Sequence, residues 1–352
     1  MRKAETLQDI RQITLSELEH FFKEKGEPVF RSKQVWMWLW QKGVATFQEM
    51  SDLPKSLREE LSKCFQIRPI KIDKIQDSAD GTIKYRFILY DDSLIESVLI
   101  PVREENRYTV CVSSQVGCSL SCTFCATGQM TRIRNLDAAE IYDQVKAVNS
   151  QSIKHFQHPL TNIVYMGMGE PLLSYNEVME SILRITDSKY GLGFSPKRIT
   201  VSTAGIAKMI YKLGDDKVKF NLALSLHAAD DTKRSKIMPI NDQNNLETLK
   251  RALLHFHKTT KNKITFEYIT FKNFNDTLED AARLAQFCKQ LPVTVNIIEY
   301  NPVPGVNFTQ SHPGQVDVFA RYLRSKNIPV TIRKSRGKDI DAACGQLANR
   351  NG

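Results

Sequence analysis

Gly117-Cys-Ser-Leu-Ser-Cys-Thr-Phe-Cys-Ala126 places three thiols, Cys118, Cys122 and Cys125, within eight residues. At this C-x3-C-x2-C spacing all three can grip one corner-sharing metal cluster. A four-iron cluster takes four ligands, and cysteine thiolates are its usual protein donors. Three local cysteines leave one iron open, and an open iron can bind a small molecule and pass it an electron. Zinc competes, because three Cys and one His make a structural site. Zinc motifs usually arrive as two separated pairs, however, and the nearest downstream histidines, His155 and His158, lie beyond an expected helix. A disulfide framework fits poorly with 7 Cys in 352 residues and no secretory pattern in the first residues.

Around this loop, from about residue 107, short apolar strands alternate with helical stretches. The strand candidates are Tyr108–Val112, Asn162–Met166, Arg198–Val201, Asn221–Leu226, Ile264–Thr270, Val293–Tyr300 and Pro329–Arg333; Asp137–Val148 and Leu278–Gln290 are amphipathic. Such alternation implies parallel βαβ units, hence a doubly wound sheet or a barrel, and periodicity does not choose between them. Small and polar residues follow these strands: the cysteine loop, Gly167-Met-Gly-Glu-Pro171, Ser202-Thr203, Ser225 with His227, and Asn301. Ligand sites in parallel α/β folds gather at the carboxyl ends of strands. Taken singly, Ser202 reads as a turn residue and His227 as a satisfied structural histidine. Their shared rim makes them site candidates. Gly167 and Gly169 allow a close backbone approach to a ligand, and Glu170 can accept a charge-assisted hydrogen bond from an ammonium.

Residues 1 to about 60 read as helical. Ser16 is expected to cap a helix, with Glu19 as its capping-box partner. In Phe30-Arg-Ser-Lys-Gln-Val-Trp-Met-Trp-Leu-Trp40 the aromatic stripe reads as core and Arg31 and Lys33 as a basic edge. Tyr85-Arg-Phe-Ile-Leu-Tyr90, an Asp-Asp turn and Leu94-Ile-Glu-Ser-Val-Leu-Ile100 read as a β-hairpin. The net charge of +10 and pI near 9.1 suit a polyanionic partner, though net charge alone says little. No apolar run approaches the about 18 residues of a membrane span. A reducing, cytoplasmic setting is the expectation.

The cysteine spacing, with Phe124 before the last Cys, resembles the radical S-adenosylmethionine (SAM) superfamily. A narrower resemblance rests on Cys111-Val-Ser-Ser-Gln-Val-Gly-Cys118, Met166-Gly-Met-Gly-Glu-Pro171, Ser225-Leu-His227, Met238-Pro-Ile-Asn241 and Asp339-Ile-Asp-Ala-Ala-Cys-Gly-Gln-Leu347. These look like the adenine-C2 RNA methyltransferases, across nearly the whole chain. The N-terminal Phe30–Trp36 segment favours them over their relatives, the adenine-C8 23S rRNA methyltransferases, which stay the alternative. Thr131-Arg-Ile-Arg134 departs from the family's usual Gly-Phe. The resemblance implies an α/β fold with a partial (β/α)6 radical SAM barrel. It divides the chain into a helical N-terminal accessory and RNA-binding domain (1–66), a β-hairpin extension (67–106), the barrel (107–335) and a C-terminal tail carrying a methyl-accepting Cys (336–352).

The resemblance also implies the site. Cys118, Cys122 and Cys125 would ligate a [4Fe-4S] cluster. Gly169, Glu170, Ser202, Ser225, His227 and Asn301 would contact SAM, of which two are used per turnover. Carbon 2 of adenine is electron-poor and cannot attack a methyl sulfonium, so a radical route is needed. Cys344 would take a methyl from one SAM. A radical from the second would remove hydrogen from that methyl group, and the resulting carbon would join C2. Glu96 would accept the C2 proton, and Cys111 would attack the Cys344 sulfur, forming a transient disulfide that frees the product. Without the resemblance, Cys111 reads as an inert buried thiol, Cys344 as an incidental exposed one and Glu96 as solvent-facing. Cys64 and Cys288 read as structural.

The partners implied are 23S rRNA and tRNA, with an external electron donor such as a flavodoxin, no membrane, and a monomeric chain. Candidate phosphate contacts are Arg31, Lys33, Arg132, Arg134, Lys233, Arg234, Lys236, Arg333, Lys334, Arg336 and Lys338. Two further rivals are a radical SAM enzyme acting on a peptide or small molecule, and a zinc-stabilised RNA-binding module.

Overall fold

The computed structural model describes residues 7–350, so the outermost residues of the expected N-terminal segment and C-terminal tail lie outside the described residues. The N-terminal part is helical: α1 (Leu15–Glu24), α2 (Phe30–Met37) and α3 (Lys55–Cys64). The cap of α1 differs from the expectation. Thr14 is extended and takes the Glu17 N–H on its hydroxyl, while the Glu17 carboxylate returns to the Thr14 N–H. Ser16 already lies inside the helix, so Ser16 and Glu19 cap nothing. The aromatic stripe is core: Trp36 and Trp40 are buried, and Trp40 meets Tyr142 edge-on at 5.2 Å. Phe30 is exposed beside Arg31. A buried ionic clamp fixes the entering chain. Arg11 donates to both carboxylate oxygens of Asp143 (3.0 and 2.8 Å), to Asp9 (3.0 Å) and to the Arg68 carbonyl (2.9 Å).

One ten-stranded sheet carries the rest. Its strands are β1 (Lys71–Asp77), β2 (Ile83–Ile88), β3 (Leu94–Val102), β4 (Arg107–Cys111), β5 (Asn162–Tyr165), β6 (Ile199–Thr203), β7 (Asn221–Ser225), β8 (Ile264–Thr270), β9 (Val293–Glu299) and β10 (Val330–Arg333). Spatial order equals chain order, and both ends stay open among the described residues. From β4 to β10 all neighbours are parallel; β1 to β4 are joined antiparallel. The open alternative between sheet and barrel thus resolves to an unclosed parallel run, the expected partial barrel, with β10 adding a seventh parallel strand to it. The expected hairpin is β2 and β3. The structure adds β1 beside it and bonds β3 to β4, so the sheet runs unbroken from 71 to the barrel.

Helices fill the crossovers: α4 (Ala138–Phe156), α5 (Tyr175–Thr186), α6 (Ala207–Asp215), α7 (Asp231–Ile237), α8 (Leu246–Thr260), α9 (Leu278–Cys288) and α10 (Pro313–Ser325). They pack in pairs, α4 with α5, α6 with α8 and α9 with α10. Val110, Ile163, Val201, Leu222, Leu224, Phe266 and Val295 are fully buried, which is why the strands read as short apolar runs. The carboxyl ends of β4 to β10 share one rim, and the expected site residues lie along it.

Candidate active site

A cavity of about 220 Å³ opens at that rim. All of the expected site residues line it except Glu96 and Asn301. It has two walls, one of strand ends and the cysteine loop, the other of the C-terminal tail.

The cysteine loop leaves β4 and returns through a two-residue ladder, Gln115–Val116 against Arg134–Asn135. Gly117 makes the return possible. Its φ is +75°, and a Cβ there would sit 2.2 Å from the Thr131 carbonyl oxygen. Burial pushes the Cys118 thiol up to about 11 and raises Cys122 and Cys125 too. As bare thiols they are protonated and inert; a bound cation reverses that balance. Among the described residues no group of three His, Cys, Asp or Glu side chains converges as a single-ion site would need. The thiols instead line one wall together. Phe124, between Cys122 and Cys125, packs edge-on to His227 at 4.9 Å and against Phe271 at 5.6 Å.

Glu170 follows β5. Its carboxylate accepts the N–H of Ala204 (2.7 Å) and of Leu172 (3.0 Å), and its own N–H donates to the Gln115 side-chain oxygen (2.9 Å). Burial holds it up at about 6 against those donors. The neighbouring glycines have a reason other than ligand approach. A Cβ on Gly169 would lie 2.4 Å from the Gln115 Cβ, and one on Gly167 would lie 2.7 Å from both the Ser113 hydroxyl and the Val112 carbonyl. They let two loops pack. The hydroxyls of Ser202 and Ser225 are 3.4 Å apart. His227 adopts φ +54°, and its Nδ1 accepts the Ile269 N–H at 3.1 Å. Burial and the nearby Arg234 charge lower it to about 3. The neutral ring therefore carries its proton on Nε2, a donor.

The second wall is the tail. The Gly345 carbonyl accepts the Ala126 N–H (2.7 Å), and the Leu347 carbonyl accepts the Thr127 hydroxyl (2.6 Å). Asp339 accepts from the Ser78 hydroxyl, and Asp80 accepts the Gly337 N–H. This hangs Cys344 over the cysteine loop. Cys344 lines the cavity, and burial of its thiol raises it, helped by Glu267 and opposed by Arg333. Cys111, at the end of β4, is pushed up to about 12 by burial and then by Cys344. Asn301 lies beneath the tail: its Nδ2 donates to the Cys344 carbonyl (3.4 Å), and its buried Oδ1 has no partner among the described residues.

Glu96 stands apart and is not solvent-facing. It is 1% exposed, pairs with Lys84 at 3.4 Å, and accepts the N–H groups of Ala348 (2.9 Å) and Asn349 (3.1 Å). The tail thus covers the carboxylate expected to act as a base. Several expected phosphate contacts also change standing. Arg234 is fully buried, Arg333 lines the cavity beside Glu267, and Arg134 is clamped by Asp91 and Glu140. Residues the sequence reading missed include Gln115, which orients Glu170, and Glu267, whose buried carboxylate faces the cavity and accepts from Asn296 at 2.8 Å. A lone Glu inside the apolar run of β8 was the available signal.

Residues 8–67 match the family model described as ribosomal RNA large subunit methyltransferase N-terminal domain, and residues 112–285 match the radical SAM superfamily. A Cytophaga hutchinsonii protein named probable dual-specificity RNA methyltransferase RlmN is 55% identical, over 96% of this chain and 92% of its own. The dual-specificity RNA methyltransferase RlmN of Geobacter sulfurreducens is 43% identical, over 98% and 93%. The chain belongs to the RlmN family. Its fold agrees: the crystal structure of a radical SAM methyltransferase from Sphaerobacter thermophilus has a TM-score of 0.90 and 37% identity, covering 97% of this chain and 99% of that one.

RlmN-family membership makes the chain a radical SAM methyltransferase, with a [4Fe-4S] cluster and SAM as its cofactors. The residues at the cavity fit both. Three thiols on one loop could hold a cluster with one corner free, and the Glu170 carboxylate and the His227 ring on its wall, with the Asn301 Oδ1 beneath the tail, offer complementary groups to an amino acid and a nucleoside.

Proposed function

We propose that this enzyme methylates C2 of adenine in 23S rRNA, and in tRNA, through a methylated Cys344 and a transient Cys111–Cys344 disulfide. The observation that carries the reading is the meeting of Cys344, Cys111 and the Cys118/Cys122/Cys125 loop on one cavity, from segments more than 200 residues apart. A structural thiol pair has no need of that company.

In this reading Cys118, Cys122 and Cys125 hold the cluster, and Gly169, Glu170, Ser202, Ser225, His227 and Asn301 hold SAM. Together the cofactors supply the methyl group and the carbon-centred radical that activates it. The chain does the rest. Cys344 carries the methyl carbon to adenine C2, which makes a bond between protein and RNA. Glu96 takes the C2 proton once Ala348 and Asn349 release its carboxylate, so the tail must shift when RNA enters. Cys111, giving up its thiol proton, then attacks the Cys344 sulfur; the S–C bond breaks, its electron pair stays with the bridging carbon, and that carbon takes a proton to leave as the methyl group of the base. The target base has to leave its stack to enter so small a cavity. With Lys233 paired to Asp280 and Lys338 to Glu299, Arg31, Lys33, Arg132, Lys236, Lys334 and Arg336 are left to meet phosphate. An external electron donor such as a flavodoxin, a monomeric chain and a cytoplasmic setting complete the reading. Among the described residues no helix is long and apolar enough to cross a membrane.

Two measurements test it. Intact mass of the purified protein should show one added methylene, localised to Cys344. Mass spectrometry of nuclease-digested product RNA should show 2-methyladenosine; 8-methyladenosine would transfer the chain to the C8 alternative.

A further inference from the structure

Met238-Pro-Ile-Asn241 has no part in the scheme above. It forms a short 3-10 turn, Pro239–Asp242, directly after α7. Its last residue turns a side-chain oxygen onto Arg234 Nη1 at 2.7 Å. The other donors of Arg234 go to the carbonyls of Leu226 (3.1 Å), Ala204 (2.5 Å) and Ser225 (3.3 Å). Arg234 is fully buried, yet every one of these acceptors is neutral. Nearby carboxylates are engaged elsewhere. Asp231 accepts from Asn241 Nδ2 and the Leu246 N–H, Asp280 pairs with Lys233, and Asp230 pairs with Arg283.

A buried guanidinium without an anion is costly. The cysteine loop lies against the helix that carries Arg234. The carbonyl of Ile237, on the same helix, accepts the Thr123 N–H of the cysteine loop at 3.0 Å. Ala204, whose carbonyl takes Arg234, gives its own N–H to Glu170. Arg234 therefore stands directly behind the wall that carries Cys122 and Glu170.

We propose that Arg234, oriented by Asn241, is the fixed counter-charge of the iron–sulfur cluster and raises its reduction potential. Reduction adds a negative charge to a centre already held by three thiolates. A cation fixed in a low-dielectric wall stabilises the reduced form more than the oxidised one. Arg234 is thus a positioning and tuning residue, not an RNA contact. The inference rests on Cys118, Cys122 and Cys125 being the cluster ligands.

The test is an anaerobic redox titration of the reconstituted full-length protein, followed by electron paramagnetic resonance, on wild type, Arg234→Gln and Arg234→Lys at matched iron content. The Gln variant should shift the reduction equilibrium about tenfold toward the oxidised cluster, about 59 mV for one electron. The Lys variant, which keeps charge but loses the fork, should stay within about threefold of wild type. Equal potentials in all three proteins, or equal shifts in Gln and Lys, would overturn the counter-charge. Equal loss of iron from both variants would also overturn it, leaving Arg234 a staple for the loop. Failure of the wild type itself to hold about four irons would instead sink the ligand assignment.

Discussion

On one side of the cavity Cys118, Cys122 and Cys125 hang from a loop locked by Phe124, His227, Phe271 and the ends of parallel strands. On the other, Cys344 hangs from a tail held by hydrogen bonds to β2, β3 and the turn before β2. The first wall is set by apolar packing, which tolerates no partial opening. Of its described apolar side chains the second buries only Ala342, Ala343 and Leu347, and it otherwise holds by a chain of polar contacts that water or a nucleic acid can replace one at a time. The difference suits the work proposed for each. A redox centre needs fixed surroundings, whereas the wall that meets a bulky substrate has to yield and return.

The sharpest break of this comparison is at the tail sulfur. Cys344→Ala should lower methyl transfer roughly a thousandfold or more, with iron content unchanged, and should form no protein–RNA adduct. Cys111→Ala should instead accumulate that adduct on denaturing gels. Identical gels from the two variants would dissolve the distinction between them. Next in size is Phe124→Ala, which empties a buried aromatic site in the fixed wall. It should cost about 3–5 kcal/mol in denaturant unfolding and weaken SAM binding, which no single tail substitution should match.

Glu170 gives a pH test of the same wall. Its folded value, raised to about 6, exceeds the 4.5 of the unfolded chain. Its contribution to stability is therefore complete below pH 4.5 and lost as pH rises through 6, about 2 kcal/mol in all. An ammonium ligand prefers the ionised form, so SAM binding should weaken as pH falls through 6. Thermal melts with and without SAM should show that dependence in wild type and lose it in Glu170→Gln. The smallest expected effect is Glu96→Gln. Losing the charge that holds Ala348 and Asn349 should speed hydrogen exchange of those two amides about tenfold, while the amides of Thr123 and Cys125 keep wild-type rates. A slowed tail or a loosened cysteine loop would contradict the division of labour.

Much of the fixed wall was legible because its signals are local. The C-x3-C-x2-C spacing needs one loop, and Ser202, Ser225 and His227 each sit at or just past the carboxyl end of an apolar strand. The parallel strands announced themselves because both faces are buried. β1 did not: Lys71-Ile-Asp-Lys-Ile-Gln-Asp77 is mostly exposed and carries little apolar signal. The helix cap was misplaced because Ser16 and Thr14 both precede a Glu at the right distance, and only the backbone at Thr14 chooses. Arg234 looked like one more surface cation, since nothing in a sequence marks a guanidinium as buried. The order of the tail was invisible for a related reason. Its partners, Ser78, Asp80, Lys84 and Glu96, lie some 250 residues away and reach it through one or two polar contacts each.

The unclosed sheet leaves β1 as a bare margin, and its composition has a consequence for behaviour at high concentration. Lys71, Asp73 and Asp77 crowd that margin with charge of both signs around the exposed Ile72 and Ile75. A second molecule trying to anneal there would have to strip water from those ions before gaining any backbone pairing. The sequence that made β1 hard to read is the one that keeps neighbouring copies from zipping together.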